Sequence, residues 1–383
     1  MTAEALVAKA EREAGRKFSD PAILQPLQIL LSAYEEEAGL SLFGRFAVKW
    51  DIARFLGNLL RLEQEEEQSP GILREEIVAP VFITGLPRSG TTFLHSLLSQ
   101  DPDNRAPLSW QTIYPYPLRQ DLLRDRRAAR VERQLRMFKY MSPGVGDLHP
   151  LAADTPQECT EITAHVFQSL RFDTTHYVPS YQQWLIEAGH QEAFRFHKRF
   201  LQHLQHQLGH GQWVLKSPDH LFTMAAVKTV YSDVRFVFVH RDPLSVLPSV
   251  AKLTALLRAP FTRRLNRGQI GRQVSERWVE GAELIARESA TDSRITHVHY
   301  RTLVEQPVET VASLYDRFGR PFTPWARKRL EDYIEKRPRG GYGVNKYRFE
   351  EFGLDAGRLR EQFQPYMAAF GVEHEYRHSA TNF

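Results

Sequence analysis

Apolar positions along this chain follow two different periods. Over residues 1–75 they recur at helical spacing, as in Phe46, Trp50, Ala53, Leu56 and Leu60, and Ser19-Asp20-Pro21 reads as a helix start. The acidic run Glu63–Glu67, followed by Ser69-Pro70-Gly71, closes this stretch as a solvated helix end and a linker. From Ile77 the pattern changes to short apolar runs set between helical segments: Val78–Thr84, Trp213–Leu215, Arg235–His240 and Ile295–Tyr300. Strands alternating with helices predict an α/β fold, a three-layer parallel sheet covered on both faces, behind an N-terminal helical extension. The expected division is 1–75 for the extension, which covers the main domain or a partner subunit, and 76–383 for the domain itself. Such a sheet places its ligand beyond the carboxyl ends of its strands. Arg88, Lys216, Arg241 and Tyr300 all stand at or just past those ends. No internal repeat or low-complexity tract interrupts the pattern.

Where the first run ends, Thr84-Gly85-Leu86-Pro87-Arg88-Ser89-Gly90-Thr91-Thr92 passes through a Gly/Pro turn straight into a helix. A strand–loop–helix of this kind aims backbone N–H groups and the positive end of a helix at one point, a cradle for phosphate or sulfate. The spacing Gly85…Gly90 is that of the ATP-type P-loop, but Thr91 stands where its lysine belongs. The positive charge comes from Arg88, inside the loop. Far downstream, Arg235–His240 runs into Arg241-Asp242-Pro243, with Ser249 two turns on. An ATPase would end this strand in an acidic residue that serves Mg²⁺. Here it ends in the basic pair His240-Arg241, suited to a second phosphate without metal. Asp242 is placed as an N-cap and Pro243 at the first helical position.

Together these two segments resemble the PAPS-dependent sulfotransferases, in particular the bacterial group related to the tyrosylprotein enzymes. The resemblance runs from about residue 80 to the C-terminus. It implies 3′-phosphoadenosine 5′-phosphosulfate (PAPS) as cosubstrate, with a P-loop-like phosphosulfate loop at Arg88, Ser89, Gly90, Thr91 and Thr92. It implies a 3′-phosphate site at Arg241 and Ser249, and Tyr300 near the adenine. Lys216, in Leu215-Lys216-Ser217-Pro218-Asp219-His220, inherits contact with the sulfate, while His220 reads as a helix-start residue facing solvent. Many relatives carry Trp-Glu after the phosphosulfate loop, and an acidic residue in that region can serve as base; this chain has Trp110-Gln111. Glutamine takes no proton at neutral pH, so the base is sought in His149 first and Glu158 second. Glu161 reads as the acid of a helix's first turn, and Gln111 at most orients the acceptor.

Composition narrows the rest. At 383 residues and 42% hydrophobic the chain buries a sizeable core, and a net charge of +4 without a polybasic run suits an acidic small cosubstrate, with no nucleic-acid arm. The single cysteine, Cys159, excludes an intrachain disulfide and favours a reducing compartment. Met1–Gly15 lacks the apolar core of a signal peptide, and no apolar stretch has the ~20 residues of a membrane span, so a cytoplasmic enzyme is expected. Its partner is a small-molecule hydroxyl acceptor; homodimerisation stays open. Residues 103–208 are rich in aromatics, among them Trp110, Tyr114, Tyr116, Phe138, Tyr140, Phe167, Phe172, Tyr177, Tyr181 and Trp184. Three or more of them lining the pocket would make the acceptor an apolar or aromatic alcohol. Arg337–Tyr347, basic and Gly-rich, reads either as a cationic flap over the nucleotide or as a solvated loop. Two rival functions remain: a nucleotide-dependent kinase, and a non-catalytic nucleotide-binding protein that lost its base at Gln111.

Overall fold

The computed structural model describes residues 2–117, 125–148, 152–290, 292–336 and 348–375. Three helices come first: α1 (Ala3–Ala14), α2 (Leu24–Glu36) and α3 (Leu42–Gln68). Thr2 and Ser41 cap α1 and α3 by accepting from the N–H groups of Ala5 and Gly44. Asp20 does the same for a 3₁₀ turn, Pro21–Ile23, that feeds α2. Then follow β1 (Val81–Gly85), α4 (Thr91–Leu98), β2 (Asn104–Arg105), α5 (Ser109–Ile113), α6 (Arg127–Met141) and α7 (Val145–Leu148). The middle of the chain holds α8 (Cys159–Thr163), α9 (Arg171–Thr175), α10 (Pro179–Ala188), α11 (Gln191–Leu208), β3 (Gln212–Lys216), α12 (His220–Val230) and β4 (Arg235–His240). The last part holds α13 (Pro243–Arg258), α14 (Arg267–Ser289), β5 (Ile295–His299), α15 (Tyr300–Glu305), α16 (Pro307–Arg317), α17 (Pro324–Lys336) and α18 (Ala356–Phe370).

The strands form one parallel sheet in the order β2-β3-β1-β4-β5. Its central strand β1 is buried on both faces, and its side chains divide between two cores. Val81 and Ile83 belong to a core with Leu94 and Leu97 of α4 and Leu314 of α16; Phe82 belongs to the other, where its ring meets those of Phe194 and His197 of α11, His220 of α12 and Phe236 of β4. The α/β layering expected from the sequence is therefore the observed one. β1 starts at Val81 rather than Val78, because Pro80 has no N–H for the ladder and Ala79 takes a left-handed φ of 42°. β2 was missed: two polar residues carry no period.

The N-terminal helices share a core with the segment Ala164–Leu185: Leu27, Leu30, Phe55 and Leu56 pack with Phe167, Phe172 and Tyr181. On α3 the buried stripe is Val48, Ile52, Phe55, Leu56, Leu59 and Leu60. Phe46 and Trp50, at matching helical spacing, are instead exposed. None of the described helices is long and apolar enough to cross a membrane.

Candidate active site

The loop after β1 is shaped by two close approaches. A Cβ on Gly85, whose φ is 142°, would lie 2.4 Å from the carbonyl oxygen of Val239 on β4. A Cβ on Gly90, φ 98°, would lie 2.8 Å from the Tyr300 ring. Only glycine fits either position without displacement. Between them Arg88 holds a left-handed φ of 66°, sparsely occupied by side-chain-bearing residues. Thr91 and Thr92 open α4 with no side-chain cap on its first turn. Ser89 is wholly buried, and its Oγ has no hydrogen-bond partner. Unsatisfied N–H groups, an orphan hydroxyl and a strained arginine fit a tetrahedral oxyanion.

The second motif closes on this loop. Arg88 Nε donates to Ser249 Oγ at 3.2 Å, and Arg241 Nη1 donates to the Arg88 carbonyl at 2.9 Å. The Arg241 guanidinium lies 3.8 Å from the centre of the Tyr300 ring, so Tyr300 braces both Gly90 and Arg241. Asp242 caps α13 by accepting from the Leu244 N–H, with Pro243 at its first position as expected. Glu375, near the end of the described chain, lays its carboxylate on Arg241 Nη2 at 2.9 Å, and its own N–H donates to Asp242. His240 departs from the expected basic pair. It is buried between Tyr366 and His297, and burial holds it well below its ordinary pKa, hence neutral. Arg241 carries the charge alone.

Lys216 ends β3 at 2% exposure, and its Nζ donates to Glu158 Oε1 at 2.5 Å. Glu158 is the N-cap residue of α8 and faces a cavity of about 1320 Å³ that also reaches Arg88, Thr91, Arg241, Ser249 and Tyr300. Lys216 touches this space through the carboxylate. The structure thus gathers Lys216, Glu158 and every expected nucleotide-site residue at the carboxyl edge of the sheet. His149 lies outside the described residues, as does the Gly-rich segment 337–347.

Three expectations are corrected. Gln111 does not face the cavity: it is buried, and its Oε1 caps α5 by accepting from the Leu108 N–H at 2.8 Å. His220 does not face solvent. Its ring packs 4.8 Å from that of Phe82, its Nε2 is without a partner, and burial lowers its pKa well below the usual value. Of the ten aromatics picked out between the motifs, only Phe138 and Phe172 line the cavity. Phe167 and Tyr181 went to the core shared with α1–α3. The N-terminal helices contribute Tyr34, Phe43, Phe46 and Trp50 to the aromatic wall, and Phe93, Phe261, Trp278, Tyr300 and Tyr333 come from elsewhere in the chain.

Sequence reading also missed a buried ion network on the cavity floor. Asp51 pairs with Arg54 at 2.5 Å and with Arg171 at 2.7 Å, and Glu161 pairs with the same two arginines at 2.7 and 2.8 Å. Burial alone would raise the Asp51 pKa; Arg171 and Arg54 override it and hold the carboxyl well below its usual range. Glu161 does stand in the first turn of α8, but both of its oxygens are engaged by these arginines. Only Asp51–Arg54 is local, three residues apart on α3; the pairs Asp51–Arg171 and Glu161–Arg54 join segments 120 and 107 residues apart, which no local pattern links.

A family model described as the sulfotransferase family matches residues 80–324, which span the loop after β1, the start of α13, Lys216 and Tyr300. The chain belongs to the sulfotransferase family. Among curated relatives, the omega-hydroxy-beta-dihydromenaquinone-9 sulfotransferase Stf3 of Mycobacterium bovis is 25% identical over 286 residues, 71% of each chain. Two solved sulfotransferases superpose over nearly the whole length. STF9 of Mycobacterium avium gives a TM-score of 0.86 at 27% identity, covering 98% of both chains. STF1 of Mycobacterium tuberculosis H37Rv gives 0.82 at 27% identity, covering 95% of this chain and 99% of its own. The N-terminal helices, which lie outside the family model, are included in that coverage. The carboxyl edge of β1, β3 and β4 lies within the matched residues.

Proposed function

We propose that this sulfotransferase transfers a sulfuryl group from PAPS to the hydroxyl of an apolar acceptor. The observation that carries the reading is the 3.2 Å contact of Arg88 with Ser249, which joins the loop and the start of α13 into one cationic site with Arg241. The residues present fit a bisphosphate nucleotide: Arg88, Ser89, Gly90, Thr91 and Thr92 at one phosphate, Arg241 and Ser249 at the other, Tyr300 beside them. When bound, the donor supplies an activated sulfuryl group on a phosphate leaving group.

The chain's own residues then have three tasks. Glu158 accepts the proton of the acceptor hydroxyl as its oxygen bonds to sulfur and the sulfur–phosphate oxygen bond breaks. Lys216, buried and hydrogen-bonded to Glu158, orients that carboxylate and supplies positive charge where it is little screened. Arg88 and the first turn of α4 stabilise the negative charge on the departing oxygen, the electrostatic work of any loose transfer of this type. Charge from arginine, lysine and backbone N–H groups leaves this account without a role for metal.

The acceptor side supports an apolar alcohol. Phe43, Phe46, Leu135, Phe138, Leu253 and Phe261 also line the cavity. Stf3, a relative, is named for a hydroxylated menaquinone. The kinase alternative lacks its lysine at Thr91. The non-catalytic alternative rested on Gln111, whose amide is engaged in capping α5. The test is isothermal calorimetry with the desulfated bisphosphate nucleotide. It is expected to bind at least about tenfold more tightly than ATP, since charge-assisted contacts to a 3′-phosphate contribute ~1.5–3 kcal/mol each. Equal affinity for the two nucleotides defeats the donor assignment.

A further inference from the structure

The cavity opens between the first turns of α3 and the last turns of α6. Phe43 of α3 and Phe138 of α6 both stack on Phe261, at centroid distances of 5.9 and 6.0 Å. Phe46, Trp50 and Met137 line the cavity and are exposed at the same time. Beyond them Leu42 and Tyr140 stand almost wholly in solvent, 89% and 87% exposed. Five of the eleven large apolar side chains exposed among the described residues thus sit on these two short stretches. Single exposed apolar residues are ordinary; a cluster around a cavity mouth marks a contact surface.

Charge indicates what covers it. Leu42–Trp50 carries Arg45 and Lys49, Arg133–Met141 carries Arg133, Arg136 and Lys139, and neither stretch contains a carboxylate. Among the described residues none of these five cations is in an ion pair. On α3, residues 42, 45, 46 and 49 share one face; on α6, residues 133, 136, 137 and 140 do. A two-fold contact with a second copy would press this single-signed surface against itself, where like charges repel. An apolar rim among unpaired cations instead matches an anionic bilayer, apolar side chains in the acyl boundary and arginine and lysine at the phosphates.

We infer that α3 and α6 dock the enzyme on an anionic membrane surface with the cavity mouth toward the lipid. A hydroxylated acceptor with a long apolar body then enters from the bilayer rather than from water. The inference rests on the proposed apolar acceptor, yet vesicle binding is measured without any transfer, so the two can fail separately.

The experiment is flotation of the full chain with vesicles of phosphatidylcholine alone or mixed with phosphatidylglycerol, donor and acceptor absent. The protein is expected to float with the anionic vesicles, to be released by high salt, and to stay behind with the neutral ones. Arg45→Glu/Lys49→Glu/Arg136→Glu is expected to weaken the partition at least about tenfold, and Leu42→Ser/Tyr140→Ser to weaken it as well. Both variants are expected to keep the parent Tm and parent transfer to a short soluble alcohol. Wild-type protein that stays in the buffer, or variants that float like it, overturns the inference. So does a dimer in sedimentation that the same substitutions dissociate, which would assign the face to a second copy. Vesicle binding with no transfer to any alcohol would retain the docking surface and remove the proposed reaction.

Discussion

Lys216, the last residue of β3, and Glu158, at the N-cap position of α8, meet at 2.5 Å. The ammonium is buried, and the carboxylate stands between it and the cavity. A buried lysine without this partner would be an uncompensated charge, so the pair acts as a unit.

Removing either member should therefore damage chemistry more than binding. Lys216→Ala and Glu158→Gln are each expected to lower kcat by roughly 10²-fold or more, the usual effect of losing a charge stabiliser or a positioned base. The double variant should be little worse than the worse single one. Donor affinity, read by calorimetry, should change far less. An unchanged kcat in Lys216→Ala would return that residue to a packing role.

Arg241 is engaged by the carboxylate of Glu375, at the place proposed for the 3′-phosphate. Donor and carboxylate then compete for one guanidinium. Glu375→Gln is expected to tighten binding of the bisphosphate nucleotide several-fold, while Arg241→Ala should weaken it by ~1.5–3 kcal/mol, the worth of a charged hydrogen bond. Titrations of the two variants side by side decide the matter; loss of affinity in Glu375→Gln would mean that the carboxylate assists the donor.

Gly90 is pressed against Tyr300 at a left-handed φ, so Gly90→Ala combines a ring clash with backbone strain. Its expected cost is about 1–3 kcal/mol in stability, with a further loss of nucleotide affinity as the loop shifts. Wild-type values of both Tm and affinity would show that the loop is not braced as described.

The sheet was legible because its strands are short, apolar and flanked by turns, and because Arg88, Lys216, Arg241 and Tyr300 follow strand ends directly. The residues misread share a physical cause. His220 and His240 stand beside site residues and look polar in sequence, but buried neutral rings take on a packing role that no local pattern reveals. Phe46 and Trp50 recur at helical spacing, but the buried stripe of α3 lies on another face, centred on Val48, Ile52, Phe55 and Leu59, and periodicity alone does not tell which face a helix buries. The pairing of Asp51 with Arg171 and of Glu161 with Arg54 joins segments far apart in the chain, and only the fold brings them together.

The buried histidines should set the acid limit of stability. Burial pushes His95, His165, His176 and His197 each down to about 3. Unfolded, these rings take a proton near about pH 6.5, so the unfolded state binds more protons between the two values and stability falls as pH drops through that window. The slope is at most about 5 kcal/mol per pH unit for four such groups. Denaturant melts from pH 7 to 5 should show a steep loss; a flat profile would mean these rings are solvated.

The central claim is tested most directly by incubating the enzyme with sulfur-labelled PAPS and a series of long-chain alcohols, then identifying the products by mass. The account predicts a labelled sulfate ester and the desulfated bisphosphate nucleotide in equal amounts, formed roughly 10²-fold or more slowly by Lys216→Ala and unaffected by chelator. Failure to label any alcohol, or formation of a phosphate ester from ATP in place of a sulfate ester, would contradict it.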